Sequence, residues 1–215
     1  MHTNIVFLGP PGSGKGTQAK NLAEKLGYFY FGTGDMMRLE IKNKTEYGQK
    51  FAEVIGRHQG ELVPDELVET YISEKSEDLQ NKPGIVFDGF PRTLRQAQFL
   101  EKMFDSRDDD FVVLDIEVSD KSLIERMQTR RICEDCGKIF FKADLSGIKV
   151  CDRCNGKLIR REEDEPDVVK KRLDVYEHAT KPLIDFFTKE GRLIAIDGEQ
   201  SIEDVEKEII GKISK

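Results

Sequence analysis

The residues best suited to chemistry in this chain form a glycine-rich segment, Gly9–Thr17, with the sequence GPPGSGKGT. It lies between the apolar run Ile5–Leu8 and a helical pattern. Glycines let backbone N–H groups converge on phosphate oxygens, the helix start adds a favourable dipole, and Lys15 adds a positive charge. Because a strand, a loop of this length and a helix occur in that order, the segment predicts a phosphate-binding loop rather than an ordinary surface turn.

One position of this loop departs from the strict P-loop pattern, in which Ser or Thr directly follows the lysine. Here Gly16 follows Lys15, and the hydroxyl comes one residue later, at Thr17. We therefore expect Mg²⁺ to be held mainly by water and phosphate oxygens. Thr17 and Asp88, which ends the apolar run Ile85–Phe87, are the protein groups expected nearby.

The cysteines form a second chemical pattern, two Cys-x-x-Cys pairs separated by residues 137–150: Cys133, Cys136, Cys151 and Cys154. This spacing is typical of a four-thiolate zinc ribbon, which leaves the metal no open position and so makes it structural. A flap this small has too little core to hold its own shape, and the metal would replace that core. A dithiol redox pair and an iron site are the alternatives.

Five apolar runs without alternation predict the strands of a buried parallel sheet. They are Ile5–Leu8, Tyr28–Phe31, Ile85–Phe87, Phe111–Ile116 and Leu193–Ile196. Helical patterns between them predict a doubly wound sheet with right-handed crossovers.

Local signals mark where these helices begin, end or bend. Gly27 should end the first helix, whose predicted core face is Ala19, Leu22, Ala23 and Leu26. Pro64 should lie in the first turn of a helix, and Thr93 with Gln96 should form a capping box. Ser119 and Ser201 should cap two later helices. Pro182 should bend the helix that runs from Val169 to Phe187 rather than end it.

Two stretches do not fit the alternation, and we read them as insertions where ligands bind in such sheets. The predicted division is a core of residues 1–31, 64–130 and 165–215, a helical insertion at 32–63, and a cysteine-containing lid at 131–164. Both insertions are expected to move on a rigid core, and the acidic run Glu162–Glu165 is expected to be a solvated hinge.

Composition limits the class of protein. The chain has 215 residues, of which 38% are hydrophobic and 35% charged, with a net charge of −7. That charge argues against a general nucleic-acid binder. The apolar runs are too short to span a bilayer, and the N-terminal residues show no secretory signal pattern. We therefore expect a cytoplasmic protein.

Four blocks in this order resemble the adenylate kinase family, and the resemblance runs from Asn4 to about Asp204. The blocks are Gly9–Gln18, Thr33–Arg38, Gly60–Asp65, and Asp88–Thr93 with Gln96. The resemblance implies a P-loop NTPase-like fold, reversible phosphoryl transfer between ATP and AMP giving ADP, Mg²⁺ with ATP, and a monomer. Gly32 departs from the serine usual in the family, the Arg38–Gly60 stretch is slightly longer, and the loop between the cysteine pairs is shorter and lacks the usual His and Pro.

The resemblance also implies roles for individual residues. AMP would be bound by Thr33, Arg38, Glu61, Leu62, Val63, Gly89, Arg92, Gln96, Arg161 and Arg172. ATP would be bound by Gly12, Ser13, Gly14, Lys15, Gly16, Thr17, Arg126, Arg130 and Gln200. The residues expected to act in the transfer itself are Lys15, Asp88, Arg92, Arg126, Arg161 and Arg172.

These arginines suit the expected chemistry. A phosphate oxygen is already a nucleophilic anion, so the site must position two anions and neutralise spread charge rather than supply a base. Arg126 and Arg130 are four residues apart, which predicts one shared helix face and a mutual repulsion that an anionic ligand would relieve. His2, His58 and His178 match no reactive arrangement.

Three other functions compete with this interpretation. A GTP-binding switch needs an Asn-Lys-x-Asp motif late in the sheet, and the nearest match, Asn43–Glu46, ends in Glu and lies early. A zinc-ribbon ATPase acting on nucleic acid would favour a basic chain. A kinase for another nucleoside monophosphate stays open, since only the resemblance at Thr33 and Gln96 favours adenine.

Overall fold

The computed structural model describes residues 3–57, 59–80, 82–141, 145 and 147–214. His2 and His58 therefore lie outside the described residues. Within them, the longer sheet has five parallel strands: β1 (Thr3–Leu8), β2 (Phe29–Gly32), β3 (Ile85–Asp88), β4 (Asp110–Glu117) and β8 (Leu193–Asp197). Their order across the sheet is β2-β3-β1-β4-β8. This confirms the predicted doubly wound parallel sheet.

Apolar residues along each strand face both sides of the sheet, which explains the absence of alternation in the sequence. Val6 and Leu8 pack with Phe31 and Phe87 in the core on one face. Ile5 and Phe7 pack on the other face, with Ala19 and Leu22 of α1 (Lys15–Leu26) and Val205 and Ile209 of α9 (Ile202–Ile213). A parallel sheet covered by helices on both faces needs such doubly buried strands.

Helices also cover the first face. The stretch that was predicted to be an insertion, residues 32–63, contains α2 (Thr33–Lys42) and α3 (Glu46–Arg57), and α4 (Asp65–Gln80) follows it. Buried Phe51 and Tyr71 meet edge to face, with ring centroids 5.4 Å apart. This aromatic contact joins the insertion to α4.

The remaining helices are α5 (Leu94–Asp105), α6 (Asp120–Thr129), α7 (Pro166–Val175) and α8 (Pro182–Lys189). Capping by Thr93, Ser119 and Ser201 is confirmed, since each hydroxyl accepts a backbone N–H of the first turn. Gly27 ends α1 in the left-handed conformation, as predicted.

Three local predictions need correction. Leu26 is 38% exposed, so the core face of α1 ends at Ala23 and is completed instead by buried Gln18. Pro64 lies just before α4, where its carbonyl accepts from the amides of Leu67 and Val68. The glutamine of the capping box, Gln96, accepts from the amide of Arg92 rather than from that of Thr93.

A π-helical turn, Tyr176–Thr180, precedes Pro182 and lies between α7 and α8. The amide of Lys181 donates to the carbonyl of Tyr176, one residue wider than in an α-helix. A wider turn accommodates a proline, which lacks an N–H and crowds the preceding carbonyls. The helical path therefore continues through Pro182, as predicted.

A small antiparallel sheet forms in the cysteine-containing stretch. Its strands are β5 (Arg131–Cys133), β6 (Ile139–Phe140) and β7 (Leu158–Ile159), in the order β6-β5-β7. They are too short to have shown a period in the sequence. In the part of the chain that the structure describes, no helix is both long and apolar enough to cross a membrane.

Candidate functional site

The phosphate-binding loop joins β1 to α1 in the predicted context. α1 begins at Lys15, and Gly14 precedes it with φ 94°, a left-handed conformation that favours glycine. The Lys15 ammonium donates to the carbonyl of Pro10 at 3.1 Å and so lies against its own loop. Burial lowers the pKa of Lys15 to about 8, although the charge of Asp88 opposes this shift. A phosphate bound here would interact with the Lys15 ammonium group, which is largely shielded from water.

Asp88 lies directly against this loop, at the end of β3. A Cβ built on Gly16 would come within 2.9 Å of Asp88 Oδ2. Serine or threonine at position 16 would therefore push the carboxylate away. This contact gives a physical reason why glycine, rather than the usual hydroxyl residue, follows Lys15 here.

A cavity of about 1010 Å³ opens beside Lys15. It is at the upper end of the size range of small-molecule sites, which is roughly 300–1,000 Å³. Its lining brings together cationic side chains from separate segments of the chain: Lys15, Lys20, Arg38, Lys42, Arg92, Arg130, Arg160, Arg161 and Arg172. Among the described residues, no histidine lines it. His178 instead lies on an exposed surface beside Asp174.

One end of the cavity is formed by the helical insertion and by β3. Thr33 donates to the carbonyl of Asp88 at 2.9 Å, and Arg92 Nε donates to the carbonyl of Gly89 at 2.9 Å. Arg38 Nη2 lies 2.5 Å from Asp35 Oδ1. Glu61, Leu62 and Val63 line the same end.

Gln96 also lines this end, but its side chain is engaged within the protein. Its Oε1 accepts from the amide of Arg92 at 2.8 Å, and its Nε2 donates to Asp65 Oδ1 at 2.7 Å. Gln96 is 2% exposed. It therefore fixes the segment that carries Arg92.

Arg126 and Gln200 line a second cavity, of about 390 Å³, which shares Gly14 and Thr17 with the first. Arg126 donates to the carbonyl of Ser13 at 3.2 Å and to that of Gly198 at 2.8 Å. The phosphate-binding loop thus has cavities on two sides. The predicted ATP residues Arg126 and Gln200 lie on the side away from Arg38 and Arg92.

The structure corrects the prediction that Arg126 and Arg130 share a helix face. α6 ends at Thr129, and Arg130 follows it with an extended ψ of 136°. Arg130 therefore turns away from Arg126 and binds Asp164, with Nε 2.8 Å from Oδ2 and Nη2 2.5 Å from Oδ1. The two arginines lie in different cavities.

The acidic run was also predicted wrongly, since it is not a solvated hinge throughout. Asp164 is fully buried and faces Arg130 and Arg172. Glu163 lies 3.0 Å from Arg161 Nη1 and 3.8 Å from Arg38 Nη1. Although burial opposes it, the charges of Arg172, Arg38 and Arg161 hold the pKa of Glu163 at about 2.

The guanidinium groups crowd one another despite these carboxylates. Burial lowers the pKa of Arg92, Arg161 and Arg172, and neighbouring arginines lower it further in each case. Like charges held together in a partly dry cleft are costly unless an anion joins them. The cleft therefore has the charge distribution expected of an anion-binding site.

The four cysteine thiols converge within the small sheet. All four sulfurs lie within 4.8 Å of one another, with 3.4 Å between Cys133 and Cys154 and 3.6 Å between Cys136 and Cys151. A tetrahedron with Zn–S bonds of about 2.3 Å has sulfur–sulfur edges of about 3.8 Å. The cluster thus fits a four-thiolate zinc ion with small adjustments.

Fold and site together define a nucleotide-binding protein of the P-loop class, since the glycine-rich loop leads from the central strand of a parallel sheet into α1. Residues 7–192 match the family model described as adenylate kinase. The chain belongs to the adenylate kinase family.

Several adenylate kinases are similar to this chain over nearly its full length. An adenylate kinase of Thermosipho melanesiensis is 41% identical over 99% of this chain and 100% of its own length. One of Archaeoglobus fulgidus is 40% identical over 99% of this chain and 98% of its own, and one of Lachnospira eligens is 43% identical over 94% and 95%.

Sequence reasoning missed Tyr30, Arg160 and Glu163, which line the cleft, and Asp164, which is buried beside it and pairs with Arg130. Tyr30 lies within an apolar strand pattern, where an aromatic residue predicts core. The two acids lie in a charged run before a proline, which predicts solvent exposure. The one available signal was their position a few residues after Arg160 and Arg161, since nearby cations and anions at a cleft can pair.

Proposed function

We propose that this chain carries out the reaction of its family, reversible phosphoryl transfer from ATP to AMP giving two ADP, in the arginine-lined cleft. The observation that supports this most is the convergence of Lys15 with guanidinium groups from separate chain segments around one cavity large enough for phosphates from two nucleotides. A single nucleotide triphosphate would not require cations on both sides of the cleft.

In this proposal, ATP lies along the phosphate-binding loop. The backbone of Gly12–Thr17 surrounds its phosphates, and Lys15 leaves the carbonyl of Pro10 to bind them. The base occupies the cavity lined by Arg126 and Gln200, and Arg126 and Arg130 contact ATP from either side of the loop.

AMP lies at the opposite end, among Thr33, Arg38, Glu61, Leu62 and Val63. Gly89 allows the backbone to come close, and Arg92 binds the phosphate from the segment that Gln96 fixes. Arg161 and Arg172 then contact the phosphoryl group in transfer. Arginine suits this role because it stays charged and binds two oxygens at once.

The chemistry requires positioning and charge neutralisation more than proton transfer. An oxygen of the AMP phosphate attacks the γ-phosphorus of ATP in line, the P–O bond to the β-phosphate breaks, and the negative charge moves to the ADP that leaves. Lys15, Arg92, Arg126, Arg161 and Arg172 hold the reacting groups and offset their charge.

Mg²⁺ bound with ATP would neutralise part of the negative charge on the phosphates. Asp88 and Thr17 are the nearby protein oxygens. Asp88 fits this role because its carboxylate lies against Gly16 and faces Lys15 across the loop.

We further propose that the cysteine cluster holds a structural zinc ion and that residues 131–164 form a lid. The lid and the insertion 32–63 close over the core, 1–31, 64–130 and 165–215, and exclude water that would otherwise hydrolyse ATP. The protein acts in the cytoplasm as a monomer, without nucleic acid or membrane partners.

A coupled assay tests the reaction. Purified protein is mixed with ATP and with AMP, UMP, CMP or GMP in turn, and ADP formation is followed. AMP is expected to give the highest kcat/KM. Absence of ADP from ATP plus AMP would reject the proposal, whereas a faster reaction with another monophosphate would identify a different acceptor.

A further inference from the structure

We propose that the Tyr30 hydroxyl is a positioning group that holds the Asp88 carboxylate in place for magnesium-bound ATP, in a space left open by Gly32. This inference rests on the proposed function, because it assigns a task to the carboxylate that the function places beside the phosphates. It concerns a residue of this chain to which the family resemblance gave no role.

The contact between the two side chains is direct. Tyr30 lies on β2 and Asp88 ends the adjacent strand β3, where Gly32 pairs with Asp88. Tyr30 Oη donates to Asp88 Oδ2 at 3.0 Å. That same carboxylate oxygen lies closest to the position of a Cβ on Gly16. The phenol therefore binds the same carboxylate oxygen that faces Gly16 of the phosphate-binding loop.

Gly32 makes room for this phenol. A Cβ built on Gly32 would lie 2.2 Å from Tyr30 Oη and 2.5 Å from Cζ. Any larger residue at position 32 would turn the ring out of its place and away from Asp88. Position 32 departs from the serine usual in the family, and the space that this glycine leaves is occupied by the ring of Tyr30.

Tyr30 is itself held on its other side. Its hydroxyl lies 3.3 Å from Asp35 Oδ2, and the Lys20 ammonium lies 5.3 Å from its ring centre and 2.6 Å from Asp35 Oδ2. The hydroxyl has one proton for two carboxylates, and the shorter distance favours Asp88. Burial and both carboxylates raise the pKa of Tyr30, so the phenol keeps its proton.

The charge of Asp35 is satisfied without Tyr30. Burial opposes its ionisation, but Lys20 and Arg38 hold its pKa at about 2. Losing the phenol hydroxyl should therefore disturb Asp88 more than Asp35. Binding of magnesium-bound ATP should weaken while binding of AMP stays the same.

The test compares Tyr30→Phe, Gly32→Ala and the double variant by calorimetry with ATP, with ATP plus Mg²⁺, and with AMP. Tyr30→Phe should weaken binding of magnesium-bound ATP about tenfold, the cost of a hydrogen bond to a charged group. Metal-free ATP and AMP should bind as before. Gly32→Ala should weaken binding of magnesium-bound ATP in the same way. The double variant should bind it no more weakly than the weaker of the two single variants, because both substitutions remove the same contact.

Tyr71→Phe serves as a matched control, since it removes a phenol hydroxyl that lies 3.0 Å from Glu40, away from the phosphate-binding loop. The inference is overturned if Tyr30→Phe binds magnesium-bound ATP like the unaltered protein, or if the losses of affinity caused by the two substitutions are additive.

A third variant, Asp88→Asn, distinguishes failure of this inference from failure of the proposed function. If Asp88→Asn weakens binding and Tyr30→Phe does not, only the positioning role fails, and if Asp88→Asn has no effect, the proposed task of Asp88 fails.

Discussion

Arg130 and Asp164 form a two-point ion pair at the junction between the core and the cysteine-containing stretch, and the aspartate is fully buried. Arg160 donates to the carbonyl of the same residue at 2.6 Å, and Arg172 approaches its carboxylate at 3.7 Å. Asp164 therefore contacts three guanidinium groups that line the cleft, two through its carboxylate and one through its backbone carbonyl.

Asp164→Asn tests this arrangement. The substitution leaves Arg130 without its counter-charge in a buried setting, and breaking such a pair costs about 3–5 kcal/mol. We expect the free energy of unfolding, measured by urea denaturation, to fall by that amount. The exposed pair of Lys25 and Glu206 offers a control, because Glu206→Gln should cost less than about 1 kcal/mol. Equal losses in the two variants would mean that Asp164 is no more important than a surface charge.

The lowered pKa of Lys15 predicts a pH dependence of ATP binding. The free protein loses the Lys15 proton as the pH rises past about 8, whereas bound phosphate favours the protonated form. Binding above pH 8 then takes up a proton, so affinity should fall by up to about tenfold per pH unit. Calorimetry in buffers of different ionisation enthalpy measures this uptake directly. Lys15→Met should abolish it, and uptake that persists in the variant would assign it to another group.

Arg92→Ala should reduce kcat/KM by more than about 100-fold, as loss of a positioned charge in a closed site does. Arg92 lines the cleft and is held by the carbonyl of Gly89. The melting temperature should change little. Arg95→Ala is the matched control, since Arg95 is three residues away, 55% exposed and paired with Glu69 outside the cleft. A rate near that of the unaltered protein for Arg92→Ala would place the reaction elsewhere.

Metal removal tests the cysteine cluster. Purified protein should contain about one zinc per chain, because a closed four-thiolate site binds one ion. Chelation should expose all four thiols to a thiol reagent and lower the melting temperature, since metal binding supplies folding free energy. Replacing Cys154 by Ser should reproduce both effects. Native protein with four reactive thiols and little zinc would contradict the structural-metal proposal.

Gly16→Ser would restore the strict P-loop pattern, yet we expect it to lower activity about tenfold or more. The new Cβ would lie 2.9 Å from Asp88 Oδ2 and displace that carboxylate, and a misplaced group near the reaction commonly costs this much. A coupled assay over a range of Mg²⁺ concentrations measures the effect. Gly211→Ser, at a site with no atom close to the new Cβ, should leave the rate unchanged. Higher activity in Gly16→Ser would show that Asp88 has room to move.

The sequence predicted those features of the fold that depend on neighbouring residues. Runs such as Ile5–Leu8 predicted buried strands because a strand that is apolar on both faces can bury both of them only in a sheet covered on each side. Thr93, Ser119 and Ser201 predicted helix starts because a hydroxyl there binds the first free amides. The phosphate-binding loop and the cysteine pairs were found because their chemistry depends on fixed spacing.

Features that depend on distant residues were not predicted. Asp164 looks solvated in its own run, and only Arg130, brought from the end of α6, makes its burial favourable. Arg130 was placed wrongly because a helical spacing of four gives no warning that the helix ends at Thr129. The task proposed for Tyr30 could not be inferred from β2 alone, since it depends on Asp88 and on the space beside Gly32.

The position of β8 at the edge of the sheet has a consequence for the protein as it leaves the ribosome. The wall of the second cavity includes Gly198, Gln200 and Ser201, which follow β8, and Gln18 of α1 donates to the carbonyl of Ile202. The four other strands of this sheet all precede this wall in the chain. During synthesis the second cavity can therefore be completed only once the residues after β8 have emerged, so shorter nascent chains should not bind a ligand there.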